Sequence, residues 1–132
     1  MTGASLPARV GALSLFIEDV ARSKSFYTRL FAADPLFEDE TSVAFRFGET
    51  ILNLTATSGA GELIEPRPVA DPNAGTTFML TVWVPDCDAA CATVAAAGVA
   101  LLNGPMDRPW GVRTATFQDP DGHVWEVAQQ LG

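Results

Sequence analysis

The stretch Phe117-Gln118-Asp119-Pro120-Asp121-Gly122-His123-Val124-Trp125-Glu126 decides the reading of this chain. Its four central residues favour a tight turn: proline presets its own φ, aspartate accepts hydrogen bonds from nearby backbone, and glycine tolerates positive φ. The flanks are apolar enough for strands, so residues 112–118 and 123–129 are predicted to form an antiparallel hairpin. Moving upstream, residues 103–111 read as a loop and 99–102 as a short strand. Gly98 is the C-cap of an alanine-rich helix that Asp86 caps at its start, and a strand over 77–84 precedes it.

The same order occurs earlier in the chain. A strand over 10–17 leads to Asp19 as N-cap, then to a helix through about residue 31 whose Val20, Phe26, Tyr27, Leu30 and Phe31 fall on one face. Pro35 breaks the helix, and extended segments over 36–39, 42–47 and 50–55 follow, the last two turned by Gly48. Residues 58–76 carry three glycines and three prolines with little periodicity and read as a surface connection. The chain is therefore predicted to be α+β, a single domain over 1–132 built from two βαβββ modules, about 8–57 and about 77–130.

Composition bounds the function. At 132 residues and 48% hydrophobic, the chain can bury a core without disulfides or metals. Its net charge of −8 is the wrong sign for neutralising phosphates, so nucleic acid and anionic membrane are not expected partners. No apolar run reaches the roughly 18 residues of a membrane span, and Met1–Pro7 lacks the basic start and apolar run of a leader, so a cytoplasmic location is expected. Cys87 and Cys91 lie four apart in one predicted helix; they read as small buried residues and are too few for a zinc site.

Leu13–Val20 followed by Ser23, Phe26 and Tyr27, together with the Asp119-to-Glu126 hairpin, resembles the glyoxalase, bleomycin-resistance and extradiol-dioxygenase superfamily, also called vicinal oxygen chelate, and closest to its metal-free bleomycin-resistance-like members. The resemblance covers nearly the whole chain. It implies eight strands in an open, curved mixed sheet, helices on the convex side and a ligand cavity on the concave side. Alternation agrees: Leu13, Leu15 and Ile17 face one way, and Ala12, Ser14 and Phe16 the other. In the last strand Trp125 and Val127 oppose Val124, Glu126 and Ala128.

Metal-dependent members of that superfamily hold a divalent ion through one donor side chain from each of four strands. Alignment by the two helix caps and by the hairpins puts Ala12, Asn53, Met79 and Glu126 at those positions. Alanine has no donor and a thioether is too soft, so no divalent metal or other cofactor is expected. A two-residue slip offers Ser14 and Thr81 instead. Glu126, directed into a largely apolar concavity, needs a partner. Either Arg113 or Arg46 satisfies it, or it grips a cationic or hydrogen-bonding ligand. His123 reads as a capping or surface residue.

The same parity places Phe16, Asn53, Thr55, Thr81 and Trp83 on the concave side. Trp110, between Pro109 and Gly111, sits at a rim, where it either seals an interface or, as in antibiotic-sequestering members, stacks on a planar guest. The resulting expectation is a homodimer that binds a small aromatic or cationic compound, such as an antibiotic, without catalysis, through Phe16, Asn53, Thr55, Thr81, Trp83, Trp110 and Glu126. The alternative is a lyase, isomerase or dioxygenase-type enzyme using Glu126, with or without a divalent metal. A third possibility is a concave face filled by side chains or by a partner subunit.

Overall fold

The computed structural model describes residues 5–132, so the reading of Met1–Pro7 as lacking a leader falls largely outside it. The element order is β1 (Ala12–Ile17), α1 (Val20–Phe31), β2 (Pro35–Glu38), β3 (Ser42–Phe47), β4 (Thr50–Ala56), α2 (Thr57–Ile64), β5 (Leu80–Trp83), α3 (Cys87–Ala96), β6 (Leu101–Arg108), β7 (Val112–Gln118) and β8 (Val124–Gln130). Eight strands make two four-stranded mixed sheets, ordered β1-β4-β3-β2 and β5-β8-β7-β6. The architecture is the expected pair of βαβββ modules. In each, the first strand runs parallel to the fourth at one edge, and the other pairings are antiparallel.

Local chemistry explains the repeated strand-to-helix step. Asp19 Oδ1 accepts from Arg22 N at 3.0 Å and Asp86 Oδ1 from Ala89 N at 3.1 Å, each occupying a backbone donor that the first helical turn leaves unpaired. Helix α1 buries Ser23, Phe26 and Tyr27, an i, i+3, i+4 stripe. It ends at Ala32, which takes the left-handed conformation (φ 49°) in a place where glycine is usual.

One core joins the modules. Leu15, Ile17, Val43, Phe45, Leu52 and Leu54 from the first sheet meet Ala115, Phe117, Trp125 and Val127 from the second, with Phe26 and Tyr27 between. Tyr27 packs against Trp125 with ring centroids 5.8 Å apart, and Phe31 against Trp125 at 5.1 Å. Full burial of such side chains is worth about 1.5–3 kcal/mol each. The parity read from β1 and β8 holds, with Leu15, Ile17, Trp125 and Val127 all in the core.

Two segments differ from expectation. Residues 57–64, assigned to an irregular connection, form α2; Gly59 and Gly61 masked it, and Ala56 offers no side-chain cap. Residues 103–108, assigned to a loop, belong to β6, which bends at two register shifts around Asn103. A bulged strand loses strict alternation and carries glycine or proline, so from sequence it reads as a loop. The first strand of the second module is also shorter than predicted, starting at Leu80 rather than at 77. Among the described residues no helix is long and apolar enough to cross a membrane.

Candidate functional site

With the core faces turned inward, each sheet presents its other face outward. On the first sheet the directly paired row Ser14–Asn53–Ala44 runs across β1, β4 and β3, and the next row is Phe16–Thr55–Ser42. On the second sheet the matching rows are Thr81–Glu126–Thr116–Asn103 and Trp83–Ala128–Thr114–Met106. Corresponding places thus hold Ser14 and Thr81, Asn53 and Glu126, Phe16 and Trp83.

Of the seven expected ligand-binding residues, Phe16, Asn53 and Thr55 therefore stand together on one sheet and Thr81, Trp83 and Glu126 on the other. Within one chain no hydrogen-bonded ladder joins the two sets. Trp110 lies in the turn between β6 and β7, at the end of the second sheet where β5 finishes with Trp83; the two indoles are 70% and 61% exposed. A cleft of about 400 Å³ runs along the first sheet beside Ser14 and Phe16, closed by Pro72 and Phe78 of the connection and by His123. Phe16 alone of the seven lines it.

Neither arginine proposed as a partner for Glu126 fills that role. Thr81 Oγ1 donates to Glu126 Oε1 at 2.9 Å instead. Arg113 has the opposite parity on β7 and turns to the helix side, where it pairs with Asp88 at 3.0 Å and Asp107 at 2.8 Å. Arg46 pairs in register with Ile51 on the other sheet. Arginine spacing along the sequence did not carry this information, but strand parity did.

The second sheet also holds polar groups that the sequence did not single out. Thr114 and Thr116 are 1% and 7% exposed, forming a hydroxyl floor beneath Glu126 and β6. Thr114 Oγ1 accepts from Arg108 Nε at 2.9 Å, whereas Thr116 Oγ1 is buried with no hydrogen-bond partner. Val112-Arg113-Thr114-Ala115-Thr116 alternates strictly, so period-two reading of β7 could have found both threonines.

The donor set does not fit a divalent ion. Ala12 pairs with Ile51 rather than Asn53, and Met79 precedes β5, so the first-strand neighbours of Asn53 and Glu126 are the slipped pair, Ser14 and Thr81. In either register Glu126 is the one strong donor. Among the described residues no three of His, Cys, Asp and Glu cluster together. His123 does neither of the things expected of it: its Nε2 lies 2.8 Å from the Phe16 carbonyl and ties the hairpin to β1. Because a carbonyl accepts only from N–H, Nε2 carries the proton. Cys87 is no nucleophile; burial, then the adjacent Cys91, pushes its thiol up to about 11.

The sequence profile of the Glyoxalase/Bleomycin resistance protein/Dioxygenase superfamily matches residues 9–127. No curated protein sequence matches the chain. Among solved structures, the chain is similar to a glyoxalase/bleomycin resistance protein/dioxygenase from Nocardioides, at 26% identity and TM-score 0.85, over 98% of this chain and 87% of that one. It is similar to a protein of unknown function from Agrobacterium tumefaciens str. C58, at 28% identity and TM-score 0.77, over 96% and 98% of the two chains. A lactoylglutathione lyase from Agrobacterium tumefaciens shares the fold at 18% identity and TM-score 0.74, over 94% and 95%. With the profile spanning both modules and the eight strands in the matching arrangement, the chain belongs to the Glyoxalase/Bleomycin resistance protein/Dioxygenase superfamily.

Proposed function

We propose that the protein is a homodimer that binds a small aromatic compound with a cationic or hydrogen-bond-donating group, such as an antibiotic or other natural product, on the outward face of its second sheet, and that it does so without catalysis or a metal. The observation that carries this reading is Glu126: a carboxylate on a sheet floor whose hydrogen-bond partner is the Thr81 hydroxyl and which forms no ion pair among the described residues. A carboxylate held this way attracts a cationic or donor group, and Trp83 supplies an exposed ring one row away. The family's fold alone does not distinguish binders from enzymes. What favours binding is the chemistry of the rows, which supply neither a nucleophile–base pair nor a set of metal donors.

Dimerisation is part of the proposal because the outward faces of the two sheets each bear half of the expected site. A second copy would set one chain's Phe16–Asn53–Thr55 face against its partner's Thr81–Trp83–Glu126 face and cover Trp110. Light scattering at micromolar concentration should give twice the 14.0 kDa chain mass. Calorimetric titration with 2-naphthylmethylamine, a cation at pH 7, should give one site per chain, weakened at least tenfold by Glu126→Gln, about 1.4 kcal/mol. Absence of binding, or equal binding by the variant, would overturn the reading. One divalent ion held per chain after purification without chelator would replace it with a metalloenzyme.

A further inference from the structure

Arg108 is the least explained charge on the second sheet. It closes β6 and pairs in register with Val112, on the same outward face as Thr114, Thr116 and Glu126. Its guanidinium is fixed at two points: Nε donates to Thr114 Oγ1 at 2.9 Å and Nη2 to Asn103 Oδ1 at 3.0 Å. Both partners are neutral, and among the described residues Arg108 makes no ion pair. A chain with sixteen carboxylates has thus oriented this cation with an amide and a hydroxyl. Side-chain entropy opposes ordering an arginine, so a guanidinium set in place by neutral groups is pre-organised for an anion from outside.

The backbone is shaped to the same end. Asn103 and Arg108 are five residues apart, and in a regular strand an odd spacing would put them on opposite faces. One register shift in β6, between Asn103 and Met106, undoes that and brings both to the outward face. Gly104, within that shift, has φ +88°, and a Cβ there would lie 2.5 Å from Thr114 O and 2.7 Å from Ala115 Cα. The bulge that seats Arg108 therefore requires glycine.

A buried threonine hydroxyl lies in the neighbouring row. Thr116 Oγ1 is buried, lacks a partner and sits in the row between Glu126 and Asn103. Across the floor the order is Glu126, then the Thr116 and Thr114 hydroxyls, then the Arg108 fork. Thr114 lies one strand over and two residues along from Glu126, and Asn103 two strands over in its row, so the acid and the guanidinium are on the order of 10 Å apart.

We infer that the ligand of the second-sheet face is amphoteric: a planar compound carrying a carboxylate or comparable oxyanion, which Arg108 binds, opposite the cationic or donor group that Glu126 binds. This rests on the binding reading above and adds the anion. Net charge is set by the whole surface, and recognition by the groups at the site.

Three naphthalene probes test it by calorimetry: 2-naphthylmethylamine, 2-naphthoate and 6-(aminomethyl)-2-naphthoic acid, which bears both groups. The bifunctional probe should bind at least tenfold more tightly than the amine. Arg108→Gln should abolish that advantage while leaving the amine's affinity within twofold, and Arg108→Lys, which keeps the charge but loses the fork, should restore only part of it. Retained amine affinity also reports that the Arg108→Gln protein is folded. If the amine binds through Glu126 and the added carboxylate brings no gain, the anion site is overturned and the binding reading stands. If none of the three probes binds, both are overturned.

Discussion

Tyr27 is the residue on which both halves of the chain converge. Its hydroxyl donates to Asp119 Oδ2 at 2.6 Å and accepts from Trp125 Nε1 at 3.0 Å, with no exposed surface. Burial, and then the adjacent Asp119 carboxylate, raise its pKa far above the ordinary value of 10.0. The folded protein therefore holds this proton more tightly than the unfolded chain does. The resulting stability is whole below pH 10 and is lost as pH rises beyond it, by about 1.4 kcal/mol per pH unit for the single group. Urea unfolding at pH 9 and pH 11 should show a fall that is smaller in Tyr27→Phe by about 1.4 kcal/mol, the remainder coming from other groups that titrate there, Cys87 among them. That variant should be weaker by about 1–3 kcal/mol at pH 7, because it leaves an aspartate and an indole N–H short of a partner. The sequence showed Tyr27 as one member of an apolar helical stripe and of the motif that carries the family resemblance. Its spacing placed it in the core, but nothing local to it revealed a carboxylate 92 residues away.

At the scale of elements, legibility followed regularity. The strand–aspartate–helix step was readable twice because Asp19 and Asp86 act on their own helices. The hairpin was readable because Asp119, Pro120 and Gly122 determine a turn within a few residues. Strand β6 was not, since what holds Asn103-Gly104-Pro105 in the sheet is β7 beside it. Placing a Cβ on Gly104 tests that account. Gly104→Ala meets the Thr114 carbonyl and needs positive φ, so it should cost about 2 kcal/mol or more and loosen β6 from β7. Hydrogen exchange should then show faster exchange of amides in β6 and β7, while those of β1, β3 and β4 keep their protection. Unchanged exchange in β6 would show that the strand tolerates a regular backbone and that the bulge has no such requirement. For the site the same rule applied: parity gave Thr81 and Glu126 to one face, but the bulge hid Asn103 and Arg108.

At the scale of the whole molecule, the hairpin turn adds polar cross-links to the core that joins the modules. Asp119 accepts from Tyr27 and from its own Asp121 and His123 amides, so one carboxylate builds the turn and fastens it to α1. Asp121 accepts from the Glu18 amide at 3.0 Å, from Ser23 at 3.3 Å and from Arg22 at 3.3 Å, gripping the point where β1 becomes α1. His123 adds the bond to Phe16. The bonds that leave the turn all run from the second module's hairpin to β1 and α1 of the first module, and both carboxylates are nearly inaccessible, at 3% and 6% exposure. If the turn is what makes the two sheets unfold as one, Asp119→Ala should do more than lower stability. By leaving Tyr27 Oη and two backbone amides without an acceptor, it should cost about 3 kcal/mol or more and separate the modules' unfolding. Trp125 lies on the second sheet against Tyr27, so its fluorescence should change at lower denaturant than the far-ultraviolet circular dichroism of the whole chain. In the unmodified protein the two signals should coincide. Coincident transitions in Asp119→Ala would show that the shared aromatic core of Phe26, Tyr27, Phe117 and Trp125 couples the modules unaided, leaving the turn a local structure.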